Sequence, residues 1–178
     1  MSVLDDEKLF YERFNALHGD PQLLSICEKF GISAFRRSAV LENFAKIKFS
    51  GKRCVEIGTR NALTAIVLAR NFDEVISIDI EPNDLKHEIV RFCGVKNIVL
   101  LDCKDNNEKR SLIGDLEFDA AYVDGDHARD TQSDFDLVKK CGKVLFHEYW
   151  EAQPAVMKLV DSLRPNVQVF GKFALWTA

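Results

Sequence analysis

From residue 52 onward, short apolar runs alternate with stretches of helical length. "RCVEIG" predicts a strand, followed by a helix from about Asn61 to Phe72. "EVISIDI" predicts a second strand, with a helix around 84–93, and "NIVLL" a third, with a polar helix near 106–113. "FDAAYVD" predicts a fourth strand with a helix at about 128–141, and "GKVLFHEY" a fifth. Pro154 then opens a helix whose Val156, Leu159, Val160 and Leu163 share one face. Proline suits a first helical turn, where its missing N–H has no partner to lose. The chain closes with "NVQVFGKFALWTA", two short strands around Gly171 that predict a hairpin. Residues 1–50 follow a helical period instead. Phe10, Phe14 and Leu17 fall on one face, as do Val40, Phe44 and Ile47, and Gly19-Asp20-Pro21 and Gly31 divide the segment into three helices.

Near-continuous apolar strands separated by helices imply a mostly parallel sheet covered on both faces. Right-handed crossovers then give a doubly wound α/β sandwich, with a C-terminal β-hairpin and an N-terminal helical segment. The expected division is 1–50, a helical cover or association segment, and 51–178, the α/β domain, within one compact unit. Ligands of such sheets bind beyond the carboxyl ends of the strands, at the switch point.

A chain of 178 residues, 47% hydrophobic and 29% charged, fits a single soluble domain. The net charge of −4, with no Lys/Arg block interleaved with aromatics, disfavours a nucleic-acid partner. No apolar run approaches the roughly 18–20 residues needed to span a bilayer, and "MSVLDDEKLF" has neither region of a secretion signal. The five cysteines are scattered and include no CxxC, so neither a disulfide framework nor a zinc site is expected. A cytoplasmic location is the expectation.

The strand ends carry the candidate chemistry. The first ends at Glu56-Ile57-Gly58, the second at Asp79, the third at Asp102, the fourth at Asp124-Gly125-Asp126-His127 and the fifth at His147-Glu148. Solvated loop acids and helix caps account for one or two of these. Five acids at one rim repel one another unless something is bound there. The 21 residues from Gly58 to Asp79 suit an acid that accepts hydrogen bonds from the ribose of an adenosine cofactor. The dinucleotide pattern GxGxxG would need glycines at 60 and 63, where the chain has Arg60 and Leu63. Arg60 would hinder the close approach of a pyrophosphate, and Glu56 would repel it.

"VEIGTRNALTA", "VISIDIEP", "VLLDC" and "AYVDGDHARDTQSDFDLV…GKVLFHEYW" resemble the motifs of class I S-adenosylmethionine (SAM)-dependent methyltransferases. The pairing of "VDGDH" with "FHEYW" resembles the branch with V/I-D-G-D-H and F-H-D-Y motifs, which contains many O-methyltransferases. The resemblance spans about residues 50–178 and implies a Rossmann-like methyltransferase sheet. It implies that Glu56 and Gly58 line the methionine end of SAM, with Arg60 placed to meet its carboxylate. It further implies that Asp79 accepts from the ribose and Asp102 approaches the adenine amino group. Asp124 would face the methyl-transfer region and His127 would be the base. Asp124 and Glu148 match the positions that bind a divalent cation, Mg2+ or another, in some relatives. Arg60 and Ala62 stand where the family often has glycine, and Asn61 is placed to cap the next helix.

A histidine with an ordinary pKa near 6.5 is a suitable base for a hydroxyl acceptor. The expectation is methyl transfer to a hydroxyl of a small metabolite or sugar-containing compound. The N-terminal helices, with Phe10, Phe14, Phe35 and Phe44, are expected to cover the site or mediate homo-oligomer formation. Tyr149 and Trp150 are candidates for the acceptor wall, His147 for loop support. The acidic helix with Asp130, Asp134 and Asp136 reads as a solvated face. Two other readings stay open. One is a non-catalytic SAM-binding or interaction module of the same fold. The other is a nicotinamide-dependent oxidoreductase, against which Glu56, Arg60 and the absence of a hydride-transfer constellation count.

Overall fold

The computed structural model describes residues 21–32 and 46–178. The expectations for Phe10, Phe14, Leu17, Phe35, Val40 and Phe44 lie outside the described residues. Seven strands form one sheet: β1 Gly51–Ile57, β2 Phe72–Asp79, β3 Ile98–Asp102, β4 Ala120–Val123, β5 Lys143–Phe146, β6 Val167–Phe170 and β7 Phe173–Thr177. Their spatial order is β3-β2-β1-β4-β5-β7-β6. The first five pair in parallel, whereas β7 runs antiparallel to both β5 and β6. The C-terminal hairpin therefore completes a mostly parallel sheet, as its turn at Gly171 predicts.

Side chains alternate across the strands, and this alternation assigns the layers. Cys54, Val75, Ala120, Tyr122 and Leu145 face one core with helices α1 Pro21–Phe30, α2 Leu63–Leu68 and α3 Asp84–Cys93. Val55, Ile57, Ile78, Val123 and Phe146 face the other core with α4 Asn106–Gly114, α5 Thr131–Val138 and α6 Pro154–Ser162. Val156, Leu159 and Val160 of α6 point inward as its period predicts. The sandwich is doubly wound.

Helix α2 is shorter than the expected span of 61–72. Its N-terminal end is cut back because Ala62, the residue before the first turn, has a left-handed backbone with φ 57°. Its C-terminal end is lost to β2, where Phe72 already pairs with Gly51. Asn61 does not cap it; its Oδ1 instead accepts from Asn83 Nδ2 at 2.9 Å. The fourth helix in the pattern likewise yields part of its span, closing as a 3-10 turn over Lys139–Cys141.

The strand order reverses between β1 and β4, so the crevice rule places the ligand site there. Gly58, with φ 96°, leaves β1 at this point, and a Cβ on it would lie 2.2 Å from the Asp124 carbonyl oxygen. Only glycine fits a left-handed backbone in such contact. Gly58→Ala is expected to cost about 2–4 kcal/mol, lowering the melting temperature on the order of 5–15 °C. Scanning calorimetry checks this, and an unchanged midpoint would mean that the two strand ends part freely.

Candidate functional site

A cavity of about 520 Å³ opens at the carboxyl ends of β1, β2, β4 and β5. Of the eight residues proposed from sequence, six line it: Gly58, Arg60, Asp79, Asp124, His127 and Glu148. Glu56 and Asp102 do not. Glu56 shares the parity of Cys54, so its side chain enters the α1–α3 core, where it is fully buried and accepts from Ser77 Oγ. Thr59 Oγ1 joins the same cluster, 2.7 Å from Ser77 Oγ. Asp102 sits outside the cavity, paired with the buried Lys86 and with His87 Nε2 3.5 Å away. The Lys86 hydrogen bond holds its carboxyl below the usual range, against a smaller effect of burial.

Asp79 is held by main chain. Its Oδ2 accepts from Arg60 N at 2.7 Å and its Oδ1 from Glu81 N at 2.9 Å. A carboxylate offers about four acceptor sites, so two remain for a ligand. Next to it Ile80, 36% exposed, gives the cavity an apolar wall. Arg60 has φ 45°, a left-handed conformation uncommon for a residue with a Cβ. The loop thus keeps a glycine-like backbone without the glycines.

On the β4–β5 side, two histidines converge on one oxygen. His147 Nδ1 lies 2.8 Å and His127 Nε2 3.2 Å from Asp124 Oδ1. An ionised carboxylate only accepts, so both ring nitrogens carry hydrogen. His147 is stacked on Phe173, centroids 4.9 Å apart, and on Tyr122 at 6.2 Å. It is a support for Asp124. Burial alone would raise the Asp124 carboxyl, but the hydrogen bonds and charges of His127 and His147 outweigh it and hold the pKa at about 2. Burial opposes charging of His127, yet its hydrogen bond to Asp124 and the charges of Asp124, Glu148 and Asp126 raise its pKa above the ordinary value.

Two further rim acids, Glu148 and Asp126, also have internal partners. Glu148, at φ 60°, accepts from the Trp150 indole N–H. Asp126 Oδ1 accepts from Ala128 N at 2.9 Å. The mutual repulsion expected of the rim is relieved by the chain itself. The acidic helix is not one solvated face: Asp136 is on the surface with Lys139, whereas Asp134 is fully buried and pairs with Lys109 at 2.5 Å. Lys109 and Asp130 both line the cavity, and neither was singled out from sequence as a site residue. The four-residue spacing of Asp130 and Asp134 puts both on one helical face, a signal that was present in the sequence. Tyr149 and Trp150 do not wall the cavity: Tyr149 Oη donates to Asp161 of α6 at 2.8 Å, and Lys172 Nζ lies 3.8 Å from the Trp150 ring centroid. Among the described residues, no group of three or more His, Cys, Asp or Glu side chains is arranged to hold a metal ion.

Neither a protein-family model nor a curated protein sequence matches the chain. Solved structures do. Cofactor-bound Rv0187 from MTB aligns with a TM-score of 0.70 at 16% identity, covering 96% of each chain. The O-methyltransferase from Bacillus cereus in complex with SAH aligns at 0.64 and 14% identity, covering 89% of this chain and 91% of that one. An rRNA methylase from Streptococcus thermophilus aligns at 0.54 and 15%, covering 76% and 92%. The fold is the Rossmann-like methyltransferase fold.

The charge on His127 sets two pH expectations. Its folded-state pKa is raised, so its stabilising contribution is complete below the ordinary value near 6.5 and disappears as pH rises through the raised value. The Asp124 contribution is present above the ordinary carboxylate pKa near 4 and lost as pH falls toward about 2. NMR titration of the ring protons should show His127 titrating above 6.5, and Asp124→Asn should lower that midpoint. A midpoint indifferent to Asp124→Asn would break the assignment of the pair.

Proposed function

We propose that the chain is a SAM-dependent methyltransferase that methylates a hydroxyl of a small metabolite or sugar-containing compound. The observation that carries this reading is a single cavity joining a main-chain-held carboxylate, Asp79, to a carboxylate-bound histidine, His127. Asp79 keeps two acceptor sites for the ribose hydroxyls, and Ile80 offers a face for the adenine. Arg60 lines the cavity as a partner for the ligand carboxylate; among the described residues the other Lys or Arg there, Lys109, is already paired with Asp134. Gly58 leaves room for the methionine chain. When bound, SAM supplies an electrophilic methyl group for in-line displacement.

His127 removes the acceptor proton. With Nε2–H donating to Asp124 Oδ1, the neutral ring has its lone pair on Nδ1. The hydroxyl proton passes to Nδ1, and the imidazolium that results is stabilised by Asp124, whose low pKa keeps it ionised. His147 fixes the Asp124 oxygen that both rings share. The charged His127 is not a base, so turnover should rise with pH through the raised His127 pKa and fall below it.

The B. cereus O-methyltransferase complex with SAH supports both the cofactor and the oxygen acceptor in this reading. Calorimetric titration with S-adenosylhomocysteine (SAH) tests it first, with micromolar binding expected; absence of binding would turn the search from substrates to partners. Asp79→Ala should weaken SAH roughly 10-fold or more. His127→Ala should leave SAH affinity near that of the wild type and lower turnover on the order of 10²-fold or more in a screen of hydroxylated metabolites. Unaltered turnover would make His127 structural. The titration is repeated with magnesium to test Asp124 and Glu148 as cation ligands. Because Asp124 Oδ1 already serves two histidines and Glu148 serves Trp150, SAH affinity is expected not to change.

A further inference from the structure

The cavity loop holds two residues with side chains, Arg60 and Ala62, in left-handed backbone at φ 45° and 57°. Each such residue is disfavoured and persists only where its surroundings over-determine it. For Arg60 the surroundings are specific. Its N–H donates to Asp79 Oδ2 at 2.7 Å, and its carbonyl accepts from Asn83 Nδ2 at 2.9 Å. The same Asn83 Nδ2 donates to Asn61 Oδ1 at 2.9 Å, while Asn83 Oδ1 accepts from Leu85 N at 3.1 Å and caps α3. One amide group therefore ties the loop after β1 to the start of the helix after β2. Asp79 and Asn83 grip the Arg60 peptide from its two ends.

We infer that Asn83 is a positioning residue that does the work of the missing loop glycines, committing the Arg60 side chain to the cavity as the anchor for a ligand carboxylate. A glycine at 60 could take this backbone without restraint but would bring no cation. An arginine there supplies the cation and needs the restraint. This inference rests on the cavity being the SAM site proposed above.

Asn83→Ser separates the clamp from the cap. A serine hydroxyl still caps α3 through the Leu85 N–H, adds no charge, and is too short to reach residues 60 and 61. Two readouts are taken on the full chain. The first is amide hydrogen exchange without ligand. The Arg60 amide should lose protection about fivefold or more in Asn83→Ser, while the Leu85 amide stays protected. The second is calorimetric binding of SAH and of 5′-methylthioadenosine, which has the ribose and adenine but lacks the amino-acid arm. SAH should weaken about five- to tenfold, the scale of two lost hydrogen bonds, and 5′-methylthioadenosine should change by less than about twofold. Retained protection of Arg60, unchanged SAH affinity, or equal weakening of both ligands would overturn the inference. If the wild-type protein binds neither ligand, the methyltransferase reading fails, and retained or lost Arg60 protection still decides whether Asn83 clamps the loop.

Discussion

The site depends on a contact between two backbones. At the point where the strand order reverses, Gly58 lies against the peptide of Asp124 and Gly125, closer than any side chain would permit. Asp124 N donates to the Ile57 carbonyl at 2.8 Å and Gly58 N to the Ile78 carbonyl at 2.9 Å. Those bonds continue the β1–β4 and β1–β2 ladders to the last residues before the loops diverge. The chain then leaves β2 toward one side of the sheet and β4 toward the other, and the crevice between them is the cavity. Asp79 stands on one flank and Asp124 on the other because both follow strands in register with β1.

Charge is the second constraint on this rim, and it is met locally. Asp79 is neutralised in part by two main-chain N–H groups, Asp102 by Lys86, Asp124 by two histidines and Glu148 by an indole N–H. Each partner fixes the direction of its carboxylate as well as relieving repulsion. The carboxylates are therefore oriented before a ligand arrives, which lowers the reorganisation that binding or proton transfer would otherwise demand. Lys109 and Asp134 extend the pattern beneath the rim, as a buried ion pair between α4 and α5.

Asp124 differs from the other rim acids in holding two histidines on one oxygen. The shared Oδ1 oxygen keeps a hydrogen on His127 Nε2 and one on His147 Nδ1, and the stacked rings of Tyr122 and Phe173 hold His147 in its plane.

The layers of this protein are legible in the sequence alone: near-continuous apolar runs alternate with period-3.6 faces in the order that a doubly wound sheet buries, and the hairpin around Gly171 is marked by its turn. The sequence also determined the rim, since strand ends mark the crevice, so Asp79, Asp124, His127 and Glu148 were legible as neighbours. Tertiary structure alone decided where each acid points. Glu56 lies near the end of its strand beside the cavity, yet it turns into a core because Ser77, on the neighbouring strand, meets it there. Asp102 ends its strand in register with Asp79, yet Lys86, one helix away in sequence, turns it aside. The loop backbone was less legible: "TRNA" contains no glycine, and the groups that hold Arg60 left-handed, Asp79 and Asn83, come about twenty residues later. Periodicity is a property of consecutive residues and can be read along a chain. Side-chain direction and strained backbone are settled by partners distant in sequence, and those exist only once the sheet has formed.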